Sequence, residues 1–181
     1  MHAPGTSNAL LPLVSVTSTV REGRDAYLAE NGFTLESYEQ SWVKVAFPGF
    51  TVSIPNPPTR QRAVRWHDLH HVVTRFGTDN TGEGEVSAWE LRRGLRGLGP
   101  YVGAIVLGGT ALGLLIAPRR TLRAWINSGA GHTNLFAREL GDYEAVLAMT
   151  IAELRELLHV PSDGLATERA LHVAAPQARL A

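Results

Sequence analysis

The sequence predicts a mainly α protein, a single-domain helical bundle with one short β-hairpin near its N-terminus. Three observations carry this. Most of the chain shows apolar residues at helical spacing, punctuated by capping residues, glycine and proline. One stretch, 42–54, switches to short β-type runs. The length of 181 residues suits one domain with a sizeable core.

Residues 1–8 read as a flexible arm. A helix is expected over Ser18–Asn31, stopped by Gly32, which takes the left-handed conformation at low cost. A shorter helix follows at Leu35–Gln40 with Thr34 as its N-cap. Trp42–Phe47 and Phe50–Ile54, joined by Pro48-Gly49, read as a hairpin. Asn56-Pro57-Pro58 closes it and opens a helix to about Phe76, with Asn56 as the cap. Gly77–Gly82 is a tight connection to a second helix from about Glu83 to Arg96. Two helices with so short a joint are expected to pack close to antiparallel. Beyond the apolar stretch 101–117, helical turns are expected near Leu135–Leu140, over 142–147, and from Thr150, whose capping box pairs it with Glu153. Residues 9–162 form the domain and 163–181 a tail without a clear packing face.

Basic and acidic side chains balance at 17 each, so no nucleic-acid footprint is expected. The chain has no cysteine, which leaves nitrogen and oxygen as the only metal ligands and suits a cytoplasmic compartment. The start lacks the charged residues and long apolar run of a secretory leader.

The chemistry concentrates in His67-Asp68-Leu69-His70-His71 and in Glu83, which follows His71 after eleven residues. His67 and His71 stand one helical turn apart on one face. Asp68 projects about 100° from His67 and about 60° from His71. The short loop returns Glu83 to the same place. His67, Asp68, His71 and Glu83 thus form a candidate shell for one divalent metal. Zinc suits it best, with iron(II), manganese, cobalt or magnesium as alternatives and calcium disfavoured. His70, about 100° from His71, and Glu85, about 200° from Glu83, flank the shell as candidate proton relays. Asp79 reads as a loop residue that bonds nearby backbone N–H groups. The competing reading is a set of histidines hydrogen-bonded within a helical core.

The pattern His67-Asp68-x-x-His71, eleven residues, then Glu83, with Gly77-Thr78-Asp79-x-x-Gly82 between, resembles the signature of the coenzyme Q (ubiquinone) biosynthesis family known as the fourth of the Coq proteins. The resemblance covers about 56–160. It extends more weakly to Tyr143-Glu144-x-x-Leu147 and to Thr150-Ile151-x-x-Leu154-Arg155-x-x-Leu158. It implies a mostly helical fold, a metal at those four residues, and a hydrophobic groove for a polyprenyl tail. It also implies a peripheral position, here on the inner face of the cytoplasmic membrane. The implied activity replaces the ring C1 carboxyl of a polyprenylated hydroxybenzoate with a hydroxyl, in the manner of a metal-dependent carboxy-lyase. The alternative is a non-catalytic lipid-binding scaffold that organises other quinone-biosynthesis enzymes around a structural metal. A second copy of the chain is left open as a partner.

Tyr101–Ala117 holds no charge and lies between Pro100 and Pro118. Its length is at the lower edge of a bilayer span, and Gly109-x-x-x-Gly113 permits close packing of membrane helices. Four glycines and flanking prolines favour a core helix, or one that leaves room for an isoprenoid chain. Arg119, Arg120 and Arg123 are candidates to meet anionic headgroups or a substrate carboxylate. A solvated helix end is the competing reading for these three.

Overall fold

The computed structural model describes residues 14–166, apart from 48 and 130. The expected arm, 1–8, and the tail beyond 166 lie outside the described residues. The chain is mainly helical, with one two-stranded antiparallel hairpin.

Helix α1 (Val20–Asn31) starts one residue after Thr19. Thr19 accepts from the Glu22 N–H at 3.2 Å, and the Glu22 carboxylate accepts from the Thr19 N–H at 2.7 Å. Gly32 ends the helix at φ 67°. The segment expected as a short helix at 35–40 is a 3-10 turn, Leu35–Glu39, and Thr34 makes no side-chain cap bond. Strands β1 (Trp42–Phe47) and β2 (Phe50–Pro55) pair from Trp42 with Pro55 to Phe47 with Phe50. The hairpin exposes Trp42 and Phe50. Asn56 does not cap the next helix: Pro57 holds that position. Asn56 instead closes the hairpin's base, donating to the carbonyls of Gln40 at 2.7 Å and Tyr38 at 3.0 Å. The Tyr38 carbonyl is buried and needs a donor, and the side-chain amide supplies it while also bonding the part-exposed Gln40 carbonyl.

Helix α2 (Pro58–Thr74) runs through the middle of the molecule against α1. It ends earlier than its sequence suggests, at Arg75, which takes φ 64°. The Thr74 carbonyl then accepts from Leu165 N at 2.8 Å and Ala166 N at 3.1 Å, so the start of the expected tail docks on this helix end. Helix α3 (Asn80–Arg93) is capped by Asp79, whose carboxylate accepts from Gly82 N at 2.8 Å. The loop before it is so tight that a Cβ on Gly82 would stand 2.0 Å from the Gly77 carbonyl oxygen.

Helix α4 (Gly99–Ile116) packs on α3 and on α5 (Pro118–Asn127). The segment near 135–140 forms two 3-10 turns, Leu135–Ala137 and Leu140–Asp142, in place of one helix. Helices α6 (Tyr143–Ala148) and α7 (Ile151–Leu157) follow, the latter with the capping box of Thr150 and Glu153. An antiparallel bridge joins Thr19 to Thr150, so the capped starts of α1 and α7 lie side by side. Trp66, Leu69, Val73, Trp89, Leu135, Leu147 and Leu154 are wholly or almost wholly buried between these elements. Fully burying one such side chain contributes about 1.5–3 kcal/mol.

Gly109 and Gly113 of α4 do not leave room for a ligand chain. A Cβ on Gly113 would stand 2.7 Å from the Gly84 Cα, and one on Gly109 would stand 2.4 Å from the Ser87 hydroxyl. The small-residue stripe seats α4 directly on α3. Opposite that stripe, Leu107, Leu114 and Leu115 are exposed, Leu115 at 81%, and Ile105 and Ile116 on its flank are exposed as well. The helix is long and apolar enough to cross a membrane, with 22% of it buried inside the protein. It is therefore not the buried core helix favoured by its composition.

Candidate metal centre

Mid-helix placement on α2 and first-turn placement on α3 bring His67, His71 and Glu83 together. One ligand atom from each lies within 4.8 Å of the other two. The Nε2 atoms of His67 and His71 face each other at 3.1 Å. The Glu83 carboxylate stands 3.3 Å from His67 Nε2 and 3.4 Å from His71 Nε2. Glu83 also sits in the first turn of α3, where the helix dipole favours a negative charge.

The outward ring nitrogens decide what the inward ones present. His71 Nδ1 lies 3.0 Å from the Phe76 carbonyl, which only accepts, so Nδ1 carries the hydrogen. His67 Nδ1 lies 2.8 Å from Glu90 Oε1 and donates to that carboxylate. In the neutral rings both Nε2 atoms are thereby left as lone-pair donors aimed at one spot beside an anionic oxygen. Three electron-rich atoms so placed require a cation or a shared proton between them. Two imidazoles and a carboxylate can hold a divalent metal ion. His71 is fully buried, whereas the Glu83 side chain is 41% exposed. The cluster therefore opens toward solvent on the Glu83 side, the arrangement that leaves a coordination position accessible.

Asp68 does not join this group. Its carboxylate is buried and accepts from Tyr38 Oη and, at 3.4 Å, from Tyr27 Oη. Its helical position alone left it on the shared arc; the two phenols, from α1 and the 35–39 turn, draw it aside. It remains close enough for the charges of His67 and His71 to act on it. Tyr27 stacks on His71 with ring centroids 5.5 Å apart and also lines a hollow of about 350 Å³ with Val72, Arg75 and Arg155.

The two expected proton relays have other partners. His70 is fully buried; its Nε2 accepts from Leu135 N at 3.0 Å and its Nδ1 donates to Glu90 Oε1 at 2.7 Å. Neither nitrogen is available to a substrate. Glu85 points away from Glu83, as two residues of helix require, and takes two bonds from Arg120 at 2.6 and 3.1 Å. Arg120 is thus drawn into the fold, whereas Arg119 and Arg123 are exposed on α5. Glu90 escaped the sequence reading. It stands seven residues, two helical turns, beyond Glu83 on the same face, and that spacing is the signal that finds it.

Electrostatics follow from these contacts. Burial alone would lower the pKa of His67, but Glu90 and Glu83 outweigh it and hold the imidazolium well above the ordinary 6.5. Burial would raise Glu83, but His71 and His67 outweigh it and hold the carboxyl well below 4.5. A folded-state histidine pKa above the unfolded value stabilises fully below about 6.5, and that contribution is lost as pH rises through the higher folded value. A folded-state carboxyl below its unfolded value stabilises above about 4.3 and is lost as pH falls through the lower value. Without metal, stability is therefore expected to fall as pH rises past 6.5. A metal replaces that proton, so the rise in Tm on adding Zn²⁺ should grow with pH over the same interval. Thermal melts with and without Zn²⁺ across this range check it; a Zn²⁺ effect that shrinks with rising pH contradicts it.

Compared with protein-family models, with curated proteins and with solved structures, the chain matches none.

Proposed function

We propose that the chain is a metal-dependent enzyme acting on a prenylated aromatic acid at a membrane surface. The reading combines the cluster with the resemblance of its motif to the coenzyme Q biosynthesis family. The observation that carries it is the pair of inward Nε2 lone pairs, 3.1 Å apart, with the Glu83 carboxylate beside them.

His67, His71 and Glu83 would hold the ion. A bound divalent ion would supply Lewis-acid stabilisation of negative charge on the ring as the C1 carboxyl leaves as carbon dioxide. A hydroxyl takes the carboxyl's place, so the net reaction needs an oxidant, most simply dioxygen. Two imidazoles and one carboxylate with an open side are the donor set of non-haem iron(II) oxygenases. That favours iron(II) for an oxidative reaction, although zinc fits the same donors. Glu90 and the Phe76 carbonyl hold the imidazoles in place, and the acid would approach from the exposed side of Glu83. The alternative, a scaffold with a structural metal, predicts metal binding without turnover. Conversion of a prenylated hydroxybenzoate by the metal-loaded protein, lost on chelation without unfolding, separates the two. No conversion with any of iron(II), zinc, manganese or cobalt would refute the enzyme.

The exposed apolar side chains of α4, with exposed Leu122 and Ile126 on α5, support the peripheral membrane position. Arg119 and Arg123 on α5 suit anionic headgroups. Leu115→Asp at the apex should reduce binding to anionic phospholipid vesicles about tenfold or more, since burying one leucine contributes about 1.5–3 kcal/mol. The side chain is 81% exposed, so Tm should barely change. Unchanged vesicle binding in sedimentation assays would remove the membrane from the proposal.

A further inference from the structure

We propose that Glu90 is a positioning residue of the metal centre, and that with His70 and the turn at 134–136 it forms an outer clamp fixing the tautomer and ring plane of His67. The affinity part of this inference rests on the metal reading above; the tautomer part does not.

The chain of constraint starts at the backbone. The Leu135 amide can only donate, and it donates to His70 Nε2 at 3.0 Å. His70 is thereby left with its hydrogen on Nδ1, which reaches Glu90 Oε1 at 2.7 Å. The same oxygen accepts from His67 Nδ1 at 2.8 Å. One carboxylate oxygen thus receives both imidazoles, and its position is set by a backbone amide on a separate element. That element is itself fastened to α3. Asn134 donates to the carbonyl of Glu90 at 3.2 Å and to that of Gly94 at 2.9 Å, and its own oxygen caps the turn at Phe136 N. Glu90 and His70 are both fully buried. A carboxylate without water is tolerable only where donors compensate it; here both donors are histidines and both reach Oε1, while Oε2 is buried without a hydrogen-bond partner among the described residues. The arrangement leaves His67 one orientation, with Nε2 facing His71 and Glu83. Outer carboxylates that take the second N–H of a ligating histidine tune affinity by roughly 10–100-fold.

The test uses the whole chain, wild type and Glu90→Leu, with Co²⁺ as the probe ion and folding checked by circular dichroism. Two quantities are read: Co²⁺ affinity by competition with a chromophoric chelator, and water exchange of the His67 Nδ1 hydrogen by ¹⁵N-resolved NMR. The His71 Nδ1 hydrogen, held by the Phe76 carbonyl, is the internal control. Wild type should protect both hydrogens. The leucine variant should protect only that of His71 and bind Co²⁺ roughly 10–100-fold more weakly. A merely structural role would lower Tm and leave the two hydrogens equally protected, and that result overturns the proposal. Should Glu90→Leu not fold, Glu90→Gln keeps the shape and removes the charge; a roughly tenfold weaker affinity supports the clamp and an unchanged one overturns it. A wild-type protein that takes up no Co²⁺ would defeat the metal reading, whereas the exchange measurement needs no ion and still decides the role of Glu90.

Discussion

Alanine at His71 is expected to abolish divalent-ion binding. His71 supplies one of three inward ligand atoms and is the one shielded completely from water. Water cannot easily take its place, because Tyr27 stacks on the ring and the surrounding side chains are packed. The loss should exceed the roughly 10–100-fold that follows removal of an outer partner. Metal content after loading and dialysis, measured by plasma mass spectrometry, should fall from near-stoichiometric to background. The substitution also leaves the Phe76 carbonyl without its donor, which costs about 1–3 kcal/mol, so Glu83→Gln at the half-exposed ligand serves as the companion variant. Full metal occupancy in both would refute the ligand assignment.

Valine at Gly84 is expected to have the largest effect on the fold. A Cβ there would stand 2.5 Å from the Gly113 Cα and 3.2 Å from the Gly113 nitrogen. The obstruction is backbone, with no flexible side-chain end to swing aside, so α3 and α4 must separate. Overpacking typically costs about 1–3 kcal/mol, and this contact belongs at or above the top of that interval. Against a total stability of about 5–15 kcal/mol, such a loss should lower Tm by several degrees. Gly84 directly follows Glu83, so displacement of α3 should weaken metal binding as well. Denaturant unfolding and Co²⁺ titration of the variant check both. A Tm within a degree of wild type would show that the helices can part at little cost.

Much of the fold was legible because its signals are local. Gly32 stopping α1, the β-type runs of the hairpin, Asp79 bonding into its own loop, and Thr150 with Glu153 opening α7 all involve residues within a few positions of each other. Within the site, His67, His71 and Glu83 were legible for the same reason. Helical period sets the first two one above the other, and a six-residue loop limits how far the third can stray. The capping tendency of Asn56 yields to the buried carbonyl of Tyr38 and the part-exposed one of Gln40, which only the folded chain brings near.

The residues misjudged in the site share one cause. Sequence places Asp68, His70 and Glu85 by angle around a helix, and an angle says which way a side chain leaves the axis without saying what waits there. Tyr27 and Tyr38 from α1 and its neighbouring turn hold Asp68, the Leu135 amide and Glu90 hold His70, and Arg120 from α5 holds Glu85. The glycines of α4 belong with them. Their spacing marks a close approach, and only the tertiary structure identifies the approaching surface as α3.

Sequence by itself thus determined the helical class, the hairpin and the convergence of two histidines and a glutamate, because backbone period and short loops act over a few residues. Tertiary structure decided which polar side chains remain free to face that point and which face of α4 stays uncovered. Those outcomes depend on hydrogen-bond partners tens of residues away along the chain, which compete for each buried polar group once water is gone.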